Sequence, residues 1–332
     1  MNKKWIIYIV LIVVAFVLIV VFSKNIYFWL SNQLWKILLL AAVFGGGWLL
    51  GRFGGKKNRT SKATAINRFD VLKRTIRLHI SPCPNDTFMF DALVNGRIDC
   101  GELTFEVAYY DIEELNRRAE AGEADVSKIS YALLPEIQSR YTLLDSGSAL
   151  GRGNGPVFVA RQGTPPDSIR RVAVPGLHTT ANALMSRLYP SITQKEPVLF
   201  SEIAPAVARG EYDAGVLIHE GRFVYRKLGL ELVADLGELW ESRTGLPLPL
   251  GAIVARRTLP EELRCEIERL LRTSIEYAFA HREESRTYIK EHARELDDRV
   301  IDHHIDFFVN SYSLSLGDEG RRAVRELTGV EV

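Results

Sequence analysis

Two kinds of hydrophobic pattern divide the chain. "WIIYIVLIVVAFVLIVVF", Trp5 to Phe22, is apolar without alternation or charge, and "WKILLLAAVFGGGWLLG", Trp35 to Gly51, is a second apolar stretch interrupted by three glycines. Runs of this length match a bilayer core, so they predict a transmembrane hairpin over 1–55 with spans at 5–22 and 35–51. "GGKKNRTSKATAINR" follows, polar and basic, and reads as part of a linker over 56–73. From Arg74 the pattern changes. Short runs of period two, such as "TIRLHI", alternate with stretches of helical spacing, and this alternation predicts an α/β fold.

Charge orients the hairpin. Lys3 and Lys4 precede the first span, while Arg52, Lys56, Lys57, Arg59 and Lys62 follow the second. The positive-inside rule therefore places both ends in the cytoplasm, with the rest of the chain on the cytoplasmic side of the inner membrane. A signal peptide is the alternative, since "MNKK" makes a good n-region. No small-x-small cleavage site follows Phe22, however, and no cysteine is placed for lipidation.

Three internal echoes suggest two similar lobes. "AGEADVSKIS" at 121–130 and "RGEYDAGVLI" at 209–218 share Gly-Glu-x-Asp before a strand. "IRLHISPCPNDT" and "RRVAVPGLHTTA" each run from an apolar strand through a proline turn into helix caps. "GPVFVARQG" at 155–163 and "LGAIVARR" at 250–257 mark two segments where the chain can pass between lobes, as a pair of hinge strands.

Within this frame, "SPCPNDTF" at 81–88 is a strand-to-helix turn. Pro82 and Pro84 stop either element from running through, Asn85 or Asp86 can cap a helix from about Thr87 to Val94, and Gly96 can end it. The open N–H groups of such a tip can bind an anion or polar oxygen, or the turn can be a plain connection. Ligands in open α/β sheets sit beyond the carboxyl ends of strands. That rule selects Ser81, Asn85 and Thr87; Ser127, Lys128 and Ser130; Arg152 in "GSALGRGNGP"; and Thr179, Thr180 and His219. Hydroxyls with a few cations suit a carboxylate or polyhydroxylated ligand.

His219 is the sharpest of the seven histidines. It follows the apolar "GVLI" and precedes Glu220, so it emerges at a strand end beside a carboxylate, either as a general base or as a satisfied structural imidazole. His281, His292, His303 and His304 fall in the charged C-terminal part and are expected to be solvated; His79, inside a strand, is expected to be structural.

Composition excludes several classes. A formal net charge of +1, with no basic run interleaved with aromatics beyond the linker, argues against nucleic acid. Three cysteines, Cys83, Cys100 and Cys265, lack metal-ligand spacing and fit a reducing compartment with neither zinc nor disulfides. Cys83 is either a reactive thiol or a small residue packed beside the prolines.

"SPCPNDTFMFDALVNGRID", "SKISYALLP", "GSALGRGNGP", "VAVPGLHTTA", "AGVLIHEGRF" and "TGLPLPLGAI", six motifs in order from about Arg74 onward, resemble the 1,4-dihydroxy-6-naphthoate synthases of the futalosine route to menaquinone. The resemblance implies a two-lobed fold like the type II periplasmic binding proteins, with lobe one at 74–160 plus 255–332 and lobe two at 161–254. It implies a lyase that converts cyclic dehypoxanthinyl futalosine into 1,4-dihydroxy-6-naphthoate and a sugar-derived fragment, with no known cofactor. It places the catalytic base at His219 and substrate binding at Lys128, Ile129 and Ser130 and at Thr179, Thr180 and Ala181. Phe88, Tyr131 and Trp240 are either walls for the ring system or core. The apolar N-terminus departs from the family pattern. The rival class is a membrane-anchored receptor for a small carboxylate, in which His219 is only a hydrogen-bond donor.

Overall fold

The computed structural model describes residues 74–219, 221–293 and 297–332, all within one contiguous unit of the chain. The expected hairpin, its two spans and the basic linker lie outside the described residues. Among the described residues no helix is long and apolar enough to cross a membrane.

The chain opens with β1 (Arg74–Ile80), whose Ile76, Leu78 and Ile80 are fully buried. Helix α1 (Pro84–Val94) begins earlier than the sequence suggests. Its N-cap is Cys83, without a side-chain cap bond, rather than Asn85 or Asp86. The reason is Pro84: at the first helical position its ring presets φ, and its missing N–H would have been unpaired anyway. The carboxylate of Asp86 is thereby released for other partners. Strand β2 (Leu103–Tyr109), helix α2 (Ile112–Ala121) and strand β3 (Val126–Ser130) follow, and Gly122 closes α2 in the left-handed conformation.

β4 (Tyr141–Leu143) and β5 (Ala149–Gly151) complete the first pass through lobe one. Lobe two then repeats the opening plan: β6 (Val157–Arg161), β7 (Arg171–Val174), α3 (Thr180–Leu188), β8 (Gln194–Pro197), α4 (Phe200–Ala208), β9 (Ala214–Leu217), β10 (Leu230–Asp235) and α5 (Leu236–Thr244). The chain returns through β11 (Leu248–Arg256) to the helices α6 (Glu261–Ala280), α7 (Asp298–Phe308) and α8 (Gly317–Thr328).

The two sheets have the same plan. One runs β2-β1-β3-β11-β4, with β5 also on β11; the other, read in the same sense, runs β8-β7-β9-β6-β10. In each, three parallel strands meet an inserted antiparallel strand, β11 against β3 and β6 against β9. The third echo is thus explained differently from expectation. "VFVAR" and "AIVAR" do not pair with each other, because β6 belongs to the second sheet and β11 to the first, although the chain does pass between the sheets as it enters each of them. They are alike because they fill equivalent slots. Residues 157–160 accordingly pair in the second sheet and residues 248–254 in the first.

Each sheet buries both faces, as parallel sheets do. In the first, Ile76, Leu78 and Ile80 pack with Leu270, Leu271 and Ile275 of α6. In the second, Val172, Val174 and Val216 pack with Leu184 and Met185 of α3, and Val159 and Leu217 pack with Ile203 and Val207 of α4. Phe88, Tyr131 and Trp240 are core residues, each at most 2% exposed, so none of them is a cleft wall. Helix α7 is amphipathic, and among its buried residues Ile301, His304, Ile305 and Phe308 recur at helical spacing. His304 is therefore buried, at 2% exposure, and not solvated as its charged neighbourhood suggests.

Candidate active site

Because both sheets end their parallel strands toward each other, the loops after β1, β3, β7 and β9 line one cleft. Its lining includes Ser81, Asn85, Lys128, Ser130, Thr179, Thr180, Ala181 and His219 from the sequence-selected set. It also includes Asp86, Asn154, Arg222, Gly251 and Phe308.

Lobe one contributes a prebuilt polar cluster. The Asp86 carboxylate accepts from the Ser81 backbone N–H (3.1 Å), Ser81 Oγ (2.7 Å), Asn85 Nδ2 (2.8 Å) and Lys128 Nζ (2.7 Å). Asp86 and Lys128 are almost wholly buried. A buried pair of this kind is tolerable only when hydrogen bonds satisfy the remaining lone pairs, which these donors do. Lys128 lies over the inserted strand, and a Cβ on Gly251 would come within 2.7 Å of its Cε, so glycine is what lets the ammonium reach the cleft. Ser130 is braced by Asn116, whose Oδ1 accepts from the Ser130 N–H (2.8 Å) and whose Nδ2 donates to Ser130 Oγ (3.0 Å).

Lobe two contributes a helix start and a histidine. Thr179 caps α3, accepting from Asn182 N–H (3.2 Å) and donating to the Gly176 carbonyl (2.7 Å). Thr180 Oγ1 donates to the Leu250 carbonyl (2.9 Å) and accepts from the Ala132 N–H (3.3 Å), tying the lobes together. Both hydroxyls are committed to structure, which leaves the first backbone N–H groups of the helix as the uncommitted donors of this turn. His219 follows β9 with φ +51°, a left-handed conformation costly for a residue with a side chain. Its ring packs edge-on to Phe200, at 5.1 Å between centroids, and face to face with His304, at 5.8 Å and 11°. Arg222, one turn further, donates to Asp235 (3.2 Å) and to the Gly155 carbonyl, and lies 4.8 Å over the Phe307 ring.

Four sequence-selected residues stand apart from the cleft, among them Ser127, whose fully buried hydroxyl donates to the Lys128 carbonyl (3.0 Å). Thr87 is fully buried and donates to the Cys83 carbonyl (3.0 Å), because the early helix start turns it inward. Arg152 is half exposed and is occupied by the Gly245 carbonyl and Glu319. The Ile129 side chain lies in the core. Sequence reasoning missed Asp86 as the hub of the cluster, although "PND" offered it as a cap. It also missed Arg222, in the short helical turn after β9, and His304, whose only signal was the amphipathic period of α7. Burial pushes the His304 imidazole well below its ordinary pKa, and His219 and Lys128 act in the same sense, so the ring is neutral. Among the described residues no group of three or more His, Cys, Asp or Glu side chains could hold a metal ion.

A family model described as menaquinone biosynthesis matches residues 76–330. The chain is 50% identical over 252 residues to a 1,4-dihydroxy-6-naphthoate synthase of Thermus thermophilus, covering 76% of this chain and 92% of that protein. It is 45% identical over 259 residues to the enzyme of the same name from Streptomyces coelicolor, covering 76% and 91%. The chain belongs to the 1,4-dihydroxy-6-naphthoate synthase family of menaquinone biosynthesis. It is thus a member of an enzyme family, consistent with a carbon–carbon lyase. A crystal structure of a protein from Archaeoglobus fulgidus superposes with a TM-score of 0.71 at 36% identity, covering 76% of this chain and 95% of that one. A Candida albicans protein described as having the generic periplasmic binding protein fold superposes at 0.60 with 11% identity, covering 76% and 89%. That second likeness concerns the fold alone, and it agrees with the two-lobed architecture expected of the synthase family.

Proposed function

We propose that the protein converts cyclic dehypoxanthinyl futalosine into 1,4-dihydroxy-6-naphthoate and a sugar-derived fragment, with His219 as general base. The observation that carries this reading is the placement of His219 on the same cleft as the Lys128–Asp86 cluster and the start of α3. The neutral imidazole would take a proton from the substrate. The electrons would collapse toward a carbonyl-stabilised intermediate, and formation of the aromatic ring would draw the sugar carbon away. Lys128, Ser130 and the N–H groups of Thr180 and Ala181 would bind the polar oxygens. Lobe closure would exclude water and align the scissile bond, supplying what a single base cannot. No cofactor is required by this scheme. We further propose that segments 5–22 and 35–51 attach the enzyme to the inner membrane with the catalytic lobes in the cytoplasm.

The test is turnover of cyclic dehypoxanthinyl futalosine, followed by absorbance and mass of the naphthoate, for wild type and His219→Ala. A general base contributes about 10²- to 10⁴-fold, so the variant should lose at least that much in kcat while still binding substrate. A folded wild type that binds small carboxylates without forming naphthoate would replace the enzyme reading with a receptor. Fractionation with and without residues 1–55 tests the attachment.

A further inference from the structure

The segment after β9 meets lobe one at a single helix face. His219 stacks on His304, and its ring also approaches Phe308, at 6.4 Å between centroids. Phe223 packs edge-on to His303 (4.7 Å) and Phe307 (5.6 Å), and Arg222 covers Phe307. Residues 303, 304, 307 and 308 are the i, i+1, i+4 and i+5 positions of α7, one stripe of that helix. Helix α7 packs on α1, so these contacts cross from lobe two to lobe one. His304 is in turn fixed within lobe one: its Nε2 lies 3.0 Å from Asn85 Oδ1. Because Asn85 Nδ2 donates to Asp86, Oδ1 is the acceptor, and His304 carries its proton on Nε2.

We propose that His304 is a positioning residue: its ring, oriented by Asn85, is the surface that holds His219 in its left-handed, cleft-lining conformation when the lobes come together. The catalytic consequence rests on the reading of His219 as the base. Stacking also makes the base a property of the closed cleft, since His219 would lose this support as the lobes part. Neutral His304 suits the role, because a second positive ring would repel the imidazolium that His219 becomes. Among the described residues, the charged and titratable groups around the pair include Lys128 with its partner Asp86, His303 on the same helix, and Arg222.

The experiment is imidazole nitrogen NMR of histidine-labelled full-length protein in detergent, without ligand. Wild type, His304→Leu and His304→Phe are compared, and the His219 signals are assigned from the His219→Ala spectrum. In His304→Leu the His219 ring signals should shift and their titration midpoint should move. Its kcat should fall about tenfold or more with KM within about threefold, as expected of a misplaced catalytic group. His304→Phe keeps a flat ring without the Asn85 bond, should fall between, and serves if the leucine variant does not fold. His219 signals and midpoint unchanged in the folded variants, with only a lower Tm, would show a purely structural residue and overturn the proposal. Full turnover in His304→Leu when wild-type turnover depends on His219 would overturn it too. Retained turnover in His219→Ala would instead remove the base assignment and leave the ring-signal test intact.

Discussion

The two strand ends that face each other across the cleft are built in opposite ways. At β3, Lys128 and Ser130 are held entirely by their own lobe, through Asp86, Ser81, Asn85 and Asn116, with the exposed surface close to zero. At β9, His219 has a strained backbone, and its ring packs against Phe200 of its own lobe and His304 and Phe308 of the other. One wall is a finished polar scaffold; the other depends on contacts made across the cleft. On the proposed reading the difference separates two tasks: the lobe-one cluster is assembled without lobe two, while the proposed base takes its place with help from both lobes.

The largest break in this contrast comes from Lys128→Met. It leaves the Asp86 carboxylate buried without its cation, and losing one partner of a buried pair costs about 3–5 kcal/mol. Denaturant unfolding should register that loss, and a double variant, Lys128→Met with Asp86→Asn, should recover much of it. If the single variant is as stable as wild type, lobe one is not the rigid wall described.

Acid should act next, through the buried histidines. Burial lowers the pKa of His304, and of His79 with help from Arg118. With the folded value below the unfolded one near 6.5, the unfolded chain binds protons that the folded chain refuses as pH drops. Stability is therefore full above about pH 6.5 and falls below it, by up to about 1.4 kcal/mol per pH unit per group. Melting curves between pH 7 and 5 should show a shallower decline in His304→Phe than in wild type. Equal slopes would mean that His304 is not held neutral by the fold.

A smaller effect is expected at another inter-lobe tie. Glu113 at the start of α2 accepts from the N–H groups of Leu177 (3.1 Å) and His178 (3.2 Å), with His178 Nδ1 at 2.8 Å. This carboxylate anchors the loop before α3, and a Cβ on Gly176 would collide with it at 2.2 Å. Glu113→Gln should loosen the loop, raising KM about two- to fivefold with little change in kcat. A fall in kcat alone would assign Glu113 to the chemistry. Smallest of all, Arg152→Ala should change steady-state constants hardly at all and stability by less than about 0.5 kcal/mol, because its ion pairs are solvent-exposed. A large KM effect would bring Arg152 back into the site.

The sequence made much of the scaffold legible. Alternation of short strands with helices, and the Gly-Glu-x-Asp echo before β3 and β9, gave two lobes of one plan, because period and turn chemistry are local properties. The strand-end rule found His219, Lys128, Ser130, Thr179 and Thr180, since each sits at or just beyond the end of a strand; Ala181 came from the family resemblance. It overreached at Thr87, where one proline shifted the helix start, and at Arg152, where long-range carbonyls and carboxylates claimed the guanidinium.

Sequence alone therefore determined the family, the α/β repeat and the chemistry available at each strand end, all of which are written in contiguous residues. Tertiary structure decided which of those groups are already spent. Thr179 and Thr180 use their hydroxyls on caps and inter-lobe ties, Asp86 becomes a hub, and the inserted strands β6 and β11 exchange the expected pairing for equivalent places in separate sheets. It also decided that His304, 85 residues beyond His219, lies flat against it in a neutral state. Burial and partnership depend on what the rest of the chain brings alongside, and no local pattern encodes a neighbour that arrives from another lobe.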